Sequence, residues 1–405
     1  MKNTIARGFS KPSFGSRFIG VFLLALAGCS ADVETIGRGD VLDDGEIGVV
    51  ESALGNGNGK GKGNGNGNSN KPQIGDGSVL AIIPTPPGWP EGLVIVGDRL
   101  YVSGPATFGT AGLPPSKVLV FDVKTGAPKG SITIQGEQTE FEHALSCITA
   151  DADGRLYVLS TQLGVVRLTR SGNGWVQDIY SPLPPDLPMC TPDSTGPCSP
   201  TPFDGPPLVN DLTFDRDGNL YITDSFQATI FRVPRGGGPA TIWFQSPELA
   251  GIPFYIGLNG LAFSRDQKQV YVTVTAPAQN PAVGRLYAIR RVASPSSQDL
   301  TLVHEFQPGD EPDGIAVGVT GDLYVALTAS NAVSVIGRNG NEIRRLTGPN
   351  GSPIPYDGPA SIVFDGKGSI LVTNHAPLTN NTDNFAILKQ YVGDRGFPFP
   401  RPRRL

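Results

Sequence analysis

A short unit recurs six times along most of this chain, and that repetition constrains the fold more than any other feature. Each unit opens on a small or polar residue pair, runs through a short apolar strand, turns on Gly or Asp, and resumes with a strand resembling Leu-Tyr-Val. The unit reads Glu91-Gly92 to Leu100-Tyr101-Val102, then Ser146-Cys147 to Leu156-Tyr157-Val158, then Asn210-Asp211 to Leu220-Tyr221-Ile222. It continues as Asn259-Gly260 to Val270-Tyr271-Val272, Asp313-Gly314 to Leu323-Tyr324-Val325, and Ala360-Ser361 to Ile370-Leu371-Val372. Asp-Gly and Gly-Asp between the strands are tight-turn chemistry. A third apolar strand follows each pair, as in Ile230-Phe231-Arg232-Val233, and usually a fourth, as in Thr241-Ile242-Trp243-Phe244.

Six four-stranded antiparallel units, spaced by 47 to 64 residues, predict an all-β, six-bladed β-propeller. The sixth unit has a third strand, Phe385 to Val392, but only a Pro-rich tail after it. Its missing outer strand is expected from Val79-Leu80-Ala81-Ile82-Ile83, an N-terminal strand that would close the ring. The propeller is therefore expected over 78–392 as one domain, followed by a solvated tail, 393–405, that carries Arg401, Arg403 and Arg404. The 53 Gly and 37 Pro among 405 residues agree with a chain poor in helices. Net charge is −5, with no basic stripe in the body, which argues against nucleic acid as a partner.

The N-terminus carries Lys2, Arg7, Lys11 and Arg17, then the apolar stretch Phe18 to Ala27, too short for a permanent span. It ends in Leu26-Ala27-Gly28-Cys29, which resembles a bacterial lipobox. Residues 1–28 are expected to be a lipoprotein signal peptide, with Cys29 lipidated and the mature chain exported and membrane-anchored. Residues 29–77 read as an acidic and then Gly/Asn-rich flexible linker. Cys190 and Cys198 stand eight residues apart without further Cys or His nearby, so a disulfide is expected in an oxidising compartment. Cys147 reads as a small buried apolar residue.

In a propeller the first strand of each blade lines the channel, and the strand beginnings converge on one face. Those positions are Glu91, Ser146, Asn210, Asn259, Asp313 and Ala360. Carboxylates and amides crowded at one axis are costly without a counter-charge, and such oxygens suit a hard divalent cation such as calcium. Asn and Asp that merely cap turns are the simpler alternative.

At these residues the chain resembles the senescence marker protein/gluconolactonase/luciferin-regenerating enzyme family of six-bladed propellers. Pro90-Glu91-Gly92, Asn210-Asp211, Asn259-Gly260 and Pro312-Asp313-Gly314 match the motifs of the first, third, fourth and fifth blades, in that order. The resemblance implies that Glu91, Asn259 and Asp313 hold a divalent cation, with Asn210 beside it touching water or substrate. It further implies hydrolysis of a small lactone or ester, Asp313 serving as general base or orienting the water. Leu208 stands where sugar-acid lactonases of this family often carry Arg, so an expected anchor for such substrates is missing.

His143 and His375 are expected at the mouth of the channel, and His304 in an outer strand. The Pro-rich insertion from Ser181 to Pro207 belongs to the same face, either as a lid or as a surface loop. The competing reading of the whole chain is a non-catalytic cell-surface propeller that binds a ligand or protein, its metal structural or absent.

Overall fold

Residues of the second strand in each repeat are apolar without alternation, and the reason is that both sheet faces are covered. In the computed structural model, which describes residues 71–398 and 400–403 and the backbone of Val41–Leu42, all of Leu156–Ser160, Leu220–Asp224 and Leu323–Leu327 is buried. Strands buried on both faces read as continuous apolar runs. The expected signal peptide 1–28, the expected lipidation site Cys29 and nearly all of the expected linker lie outside the described residues.

The strands form six antiparallel blades. Blade I holds Leu93–Val96, Arg99–Gly104, Lys117–Asp122 and Pro128–Thr133. Blade II holds Leu145–Ala150, Leu156–Ser160, Gly164–Ser171 and Gly174–Ser181, with Val41–Leu42 added at its outer edge. Blade III holds Val209–Phe214, Leu220–Asp224, Thr229–Val233 and Thr241–Gln245. Blade IV holds Leu258–Phe263, Gln269–Val274, Arg285–Arg290 and Leu300–Glu305. Blade V holds Pro312–Val317, Leu323–Leu327, Ala332–Ile336 and Glu342–Leu346. Blade VI takes Pro359–Phe364, Ser369–Asn374 and Ala386–Tyr391, and its outer strand is Gly77–Ile82 from the other end of the sequence. Each inner strand packs on the next, and the sixth packs on the first. The expected all-β ring and its closing strand are both present.

The repeated Tyr of the second strand has a packing role between blades. Tyr157 meets Phe214, Tyr221 meets Phe263, and Tyr324 meets Phe364, each edge-on with ring centroids 4.9, 5.2 and 5.0 Å apart. The Phe is the last residue of the following blade's inner strand, so one aromatic pair pins each of these interfaces. Such pairs add about 0.5–1.5 kcal/mol beyond the area they bury. Gly218 and Gly321 close the intervening turns at φ of 91° and 92°, where a side chain would be strained.

The C-terminal tail differs from the expected solvated terminus. Asp394 is buried and accepts from the Val319 and Gly396 amides and from Thr320 Oγ1. Beyond it, the Phe397 amide bonds Val317 O, the Arg401 side chain donates to Ile95 O, and the Ala152 amide donates to Pro402 O. Those partners lie at the turns of blades V, I and II, so the tail crosses the end of the ring opposite the strand beginnings. Its prolines cannot join a ladder, yet its carbonyls and the Asp394 carboxylate satisfy amides left over at the turns.

Candidate functional site: an oxygen-lined axial ring

The inner strands do not begin regularly. In blades II to VI the register slips at the motif pair itself: Ser146-Cys147, Asn210-Asp211, Asn259-Gly260, Asp313-Gly314 and Ala360-Ser361. Two residues there oppose one, a bulge that bends the strand and re-aims side chains. A hydroxyl on the second strand repairs the interrupted ladder. Thr223 Oγ1 accepts from the Asp211 amide at 2.9 Å, Thr273 Oγ1 from Gly260 at 2.8 Å, and Thr373 Oγ1 from Ser361 at 2.8 Å. In blade I, Ser103 Oγ accepts from Gly92 at 3.0 Å. Two of these hydroxyls also reach the next blade, Thr223 donating to Asn259 O and Thr273 to Asp313 O, both at 2.7 Å.

The glycines of the motifs have a steric reason. A Cβ on Gly92 would lie 2.6 Å from the Cys147 backbone, one on Gly260 2.4 Å from Asp313 O, and one on Gly314 2.7 Å from Ala360 O. Each gap is filled by the next blade's bulge, so the second motif position is Gly wherever neighbouring strands close in.

The two amides are oriented by proton counting. Thr275 Oγ1 donates to Pro312 O at 2.7 Å, so toward Asn259 it can only accept, and Asn259 Nδ2 approaches it at 3.0 Å. Asn259 Oδ1 is thereby left buried without a partner. Ser225 Oγ likewise donates to Leu258 O at 2.6 Å and accepts from Asn210 Nδ2 at 3.2 Å. Both side chains are therefore clamped through nitrogen, with oxygen as the available donor atom.

Glu91 and Asp313 are buried. Burial, then the charge of Glu91, pushes the Asp313 carboxyl well above the usual carboxylate range; the Thr328 hydroxyl, 3.1 Å from Asp313 Oδ2, opposes this. The Asn259 amide also opposes the rise, so these two motif residues lie close together, with Glu91 near enough to act on Asp313 electrostatically. Glu91 Oε2 lacks a hydrogen-bond partner. Its neighbour is His375 Nδ1 at 2.8 Å, a close contact whose geometry does not complete a hydrogen bond. Ser146 and Ala360 bring no ligand atom: Ser146 Oγ is used on Val209 O, and Ala360 is buried backbone and methyl.

Two residues of the motif pairs do more here than the sequence suggested. Asp211 accepts from the Leu212 and Leu261 amides at 2.7 and 2.6 Å and from Cys147 Sγ at 2.9 Å, tying blades II, III and IV together at the axis. Burial raises its carboxyl to about 6 despite those donors. Cys147 is accordingly a hydrogen-bond donor on the channel wall, not an inert apolar filler, and burial followed by Asp211 pushes its thiol up. Below the motif residues the channel narrows to a small cavity lined by Leu93, Cys147, Asp211, Leu261 and Ser361.

The histidines separate. His143, expected at the mouth, is buried with its two ring nitrogens 3.0 and 3.1 Å from Phe141 O and Pro114 O, which makes it a loop brace. His304 is on an outer strand, bonded to Gly340 O and edge-on to Phe306. Only His375 joins the ring. Its Nε2 is buried without a partner.

Cys190 and Cys198 form the expected disulfide, with Cα atoms 4.9 Å apart. The insertion that carries it is anchored on blade III: Gln227 Oε1 accepts from the Leu187 amide at 2.6 Å, and Gln245 Nε2 donates to Cys198 O at 3.0 Å.

Among the described residues no group of three or more His, Cys, Asp or Glu side chains is arranged for a metal. A cation here would depend on amide oxygens as well as two carboxylates. The donor set fits a hard cation on those terms, since two buried oxygens, Glu91 Oε2 and Asn259 Oδ1, have no hydrogen-bond partner and Asp313 resists ionisation beside Glu91.

Fold and ring together define a six-bladed propeller with an oxygen-lined axial site at the strand beginnings. The chain belongs to the SMP-30/gluconolactonase/LRE-like family, which residues 133–373 match. Lactonase drp35 of Staphylococcus aureus is 26% identical over 216 residues, covering 50% of this chain and 56% of that protein. The Staphylococcus haemolyticus lactonase drp35 is 26% identical over 148 residues, 35% of this chain and 42% of the relative. The chain thus spans about half the length of the curated relatives it matches. Among solved structures, a calcium-binding protein, regucalcin, from Agrobacterium tumefaciens superposes with a TM-score of 0.58 at 16% identity, covering 81% of this chain and 97% of the other. A gluconolactonase from Xanthomonas campestris gives 0.50 at 18% identity, covering 78% and 90%. At these identities the structural likeness shows the fold alone.

Proposed function

We propose that this propeller is a cation-dependent lactone hydrolase, with calcium as the cation, displayed at a membrane through a lipid on Cys29. The observation that carries the reading is the pair of buried oxygens without a hydrogen-bond partner, Glu91 Oε2 and Asn259 Oδ1, beside an Asp313 whose ionisation Glu91 opposes. A buried arrangement of this kind is costly until a positive charge joins it. The names of the curated relatives, lactonases, and of the regucalcin structure, a calcium-binding protein, point the same way.

Glu91, Asn259 and Asp313 would hold the ion, and Asn210 would stand next to it. When bound, calcium supplies a Lewis acid that stabilises negative charge on the lactone carbonyl oxygen. The chain's own groups do the rest. Asn210, clamped by Ser225, positions the carbonyl or the attacking water. Asp313 orients that water and takes its proton on a carboxylate oxygen. Glu91 is kept in place by His375. Water adds to the acyl carbon, the ring C–O bond breaks, and the ring oxygen leaves as a hydroxyl after protonation.

Calcium titration of the full-length chain by calorimetry tests the ring directly. One bound ion is expected, lost in Asp313→Ala; binding unchanged in that variant would remove the site. Calcium binding without turnover of any lactone would favour the non-catalytic propeller. Membrane display has its own test: Cys29→Ser is expected to move the protein from the membrane to the soluble fraction.

A further inference from the structure

In this fold the connections from second to third strands, and those from each blade to the next, leave the ring at the end where the inner strands begin. Among the described residues, those connections carry many Asp and Glu side chains and not one Lys or Arg. The basic turn residues, such as Arg155, Arg216, Arg265 and Arg338, all lie at the opposite end. Lys117, Arg285 and Arg345 lie in strands near this end, but Arg285 is paired with Glu248 and Glu305 and Arg345 with Asp310 and Glu342, so the connections around the mouth keep a net negative charge. A field of one sign focused at a cleft attracts cations and repels anions.

The same end carries an aromatic arm that starts at the ring. Ser225, which clamps Asn210, is followed by Phe226. Phe226 stacks edge-on with Phe203 of the insertion at 5.8 Å, and Phe203 contacts Phe254 of the loop before blade IV, also at 5.8 Å. Phe226 is buried, Phe203 half-buried, and Phe254 is 52% exposed, so the arm climbs from the clamp to the surface. Gly205 makes room for it, since a Cβ there would meet Phe203 Cε2 at 2.6 Å. Leu208, two residues before Asn210, adds a further apolar side chain and no charge. The arm is tied to the site, because the loop bearing Phe254 also holds Tyr255, whose hydroxyl donates to Glu311 Oε1 at 2.9 Å, two residues before Asp313.

We propose that this site takes uncharged lactones bearing an apolar chain or ring, which lies along Phe226, Phe203 and Phe254, and that lactones carrying an anionic group are rejected at the mouth. The inference rests on the lactonase reading and narrows its substrate class. It also accounts for turnover. Hydrolysis breaks the acyl C–O bond, adds one water, and yields a hydroxy acid that loses its proton to solvent at neutral pH. A neutral substrate thereby becomes an anion inside a negative field, which favours its exit.

The test uses the full-length protein with calcium and three lactones: γ-decalactone, γ-butyrolactone, and γ-butyrolactone bearing a γ-carboxylate. The kcat/KM for decalactone is expected to exceed that for butyrolactone at least tenfold, and that for the carboxylate more than tenfold. Phe254→Ala should reduce the decalactone-to-butyrolactone ratio at least fivefold, and Leu208→Arg should raise turnover of the carboxylate-bearing lactone. Equal efficiency on all three, or an unchanged ratio in Phe254→Ala, overturns the inference and leaves the lactonase reading standing. If no lactone is opened the lactonase reading fails, and calorimetry then decides the subsite. Decalactone binding weakened at least fivefold by Phe254→Ala upholds it, and no binding, or binding indifferent to Phe254, overturns it.

Discussion

His375 Nδ1 lies 2.8 Å from Glu91 Oε2 across the seam where the sixth blade meets the first. The site therefore spans the closure of the ring, and the order of that seam and the order of the site are one property. Removing the imidazole leaves a buried carboxylate with one fewer compensating group, a loss that costs about 1–3 kcal/mol. His375→Ala is expected to lower Tm without calcium and to show a larger calcium-induced rise in Tm than the parent. Equal rises in the two proteins would mean that His375 does not support Glu91.

Stability should fall as pH rises from about 4 to about 7. Asp224 has no exposed surface, and burial raises its carboxyl from 3.8 to about 6 even though Gln227 and the Leu208, Phe226 and Gln227 amides all donate to it. The folded state then binds more protons than the unfolded one between those values. Its contribution is full below about 3.8 and is lost as pH rises through about 6. A shift of this size corresponds to roughly 2–3 kcal/mol. Urea midpoints at pH 5 and 7 are expected to differ, with the difference reduced in Asp224→Asn; an equal difference would exclude Asp224 as its source.

Asp394 fixes the tail to the turn of blade V through two amides and a hydroxyl. Asp394→Ala leaves buried donors unpaired and should cost about 1–3 kcal/mol. Hydrogen exchange at the Val319 amide should accelerate with it. Unchanged protection there would return the tail to the status of a loose end.

The Cys190–Cys198 bridge closes a loop eight residues long. Chain entropy alone gives about 2.5 kcal/mol for such a loop. Replacing both cysteines by Ser is expected to lower Tm by about 2–4 °C in a domain of this size. Because the insertion also carries Phe203, KM for γ-decalactone should rise. An unchanged KM would assign the bridge to stability only.

Much of this architecture was legible because each feature had a local cause. The Tyr and Phe of the repeat mark the interfaces between blades, the Asp-Gly turns mark the strand pairs, and Val79–Ile83 supplied the strand that the sixth unit lacked. Glu91, Asn210, Asn259 and Asp313 stood out because a polar residue at that point of the repeat has no apolar role. Thr223 and Thr273 were hidden, since β-branched residues are ordinary in strands, and the bulge that needs their hydroxyls exists only once two strands are in register. The role of Asp211 was hidden for a related reason, since Cys147 and the Leu261 amide come from other blades, and His375, expected at the mouth, could not be paired with Glu91 from spacing alone. The tail misled because prolines and arginines at a terminus look solvated, while here the Asp394 carboxylate, the Phe397 amide, the Arg401 side chain and the Pro402 carbonyl all bond to the blades.

The most direct test of the account is the rate of γ-decalactone ring opening by the full-length protein, followed by proton release, with calcium, after chelation, and after calcium is restored. The account predicts that chelation abolishes the rate, that calcium restores it, and that Asp313→Asn shows no such recovery. A rate indifferent to chelation, or no hydrolysis with calcium bound at the ring, would contradict it.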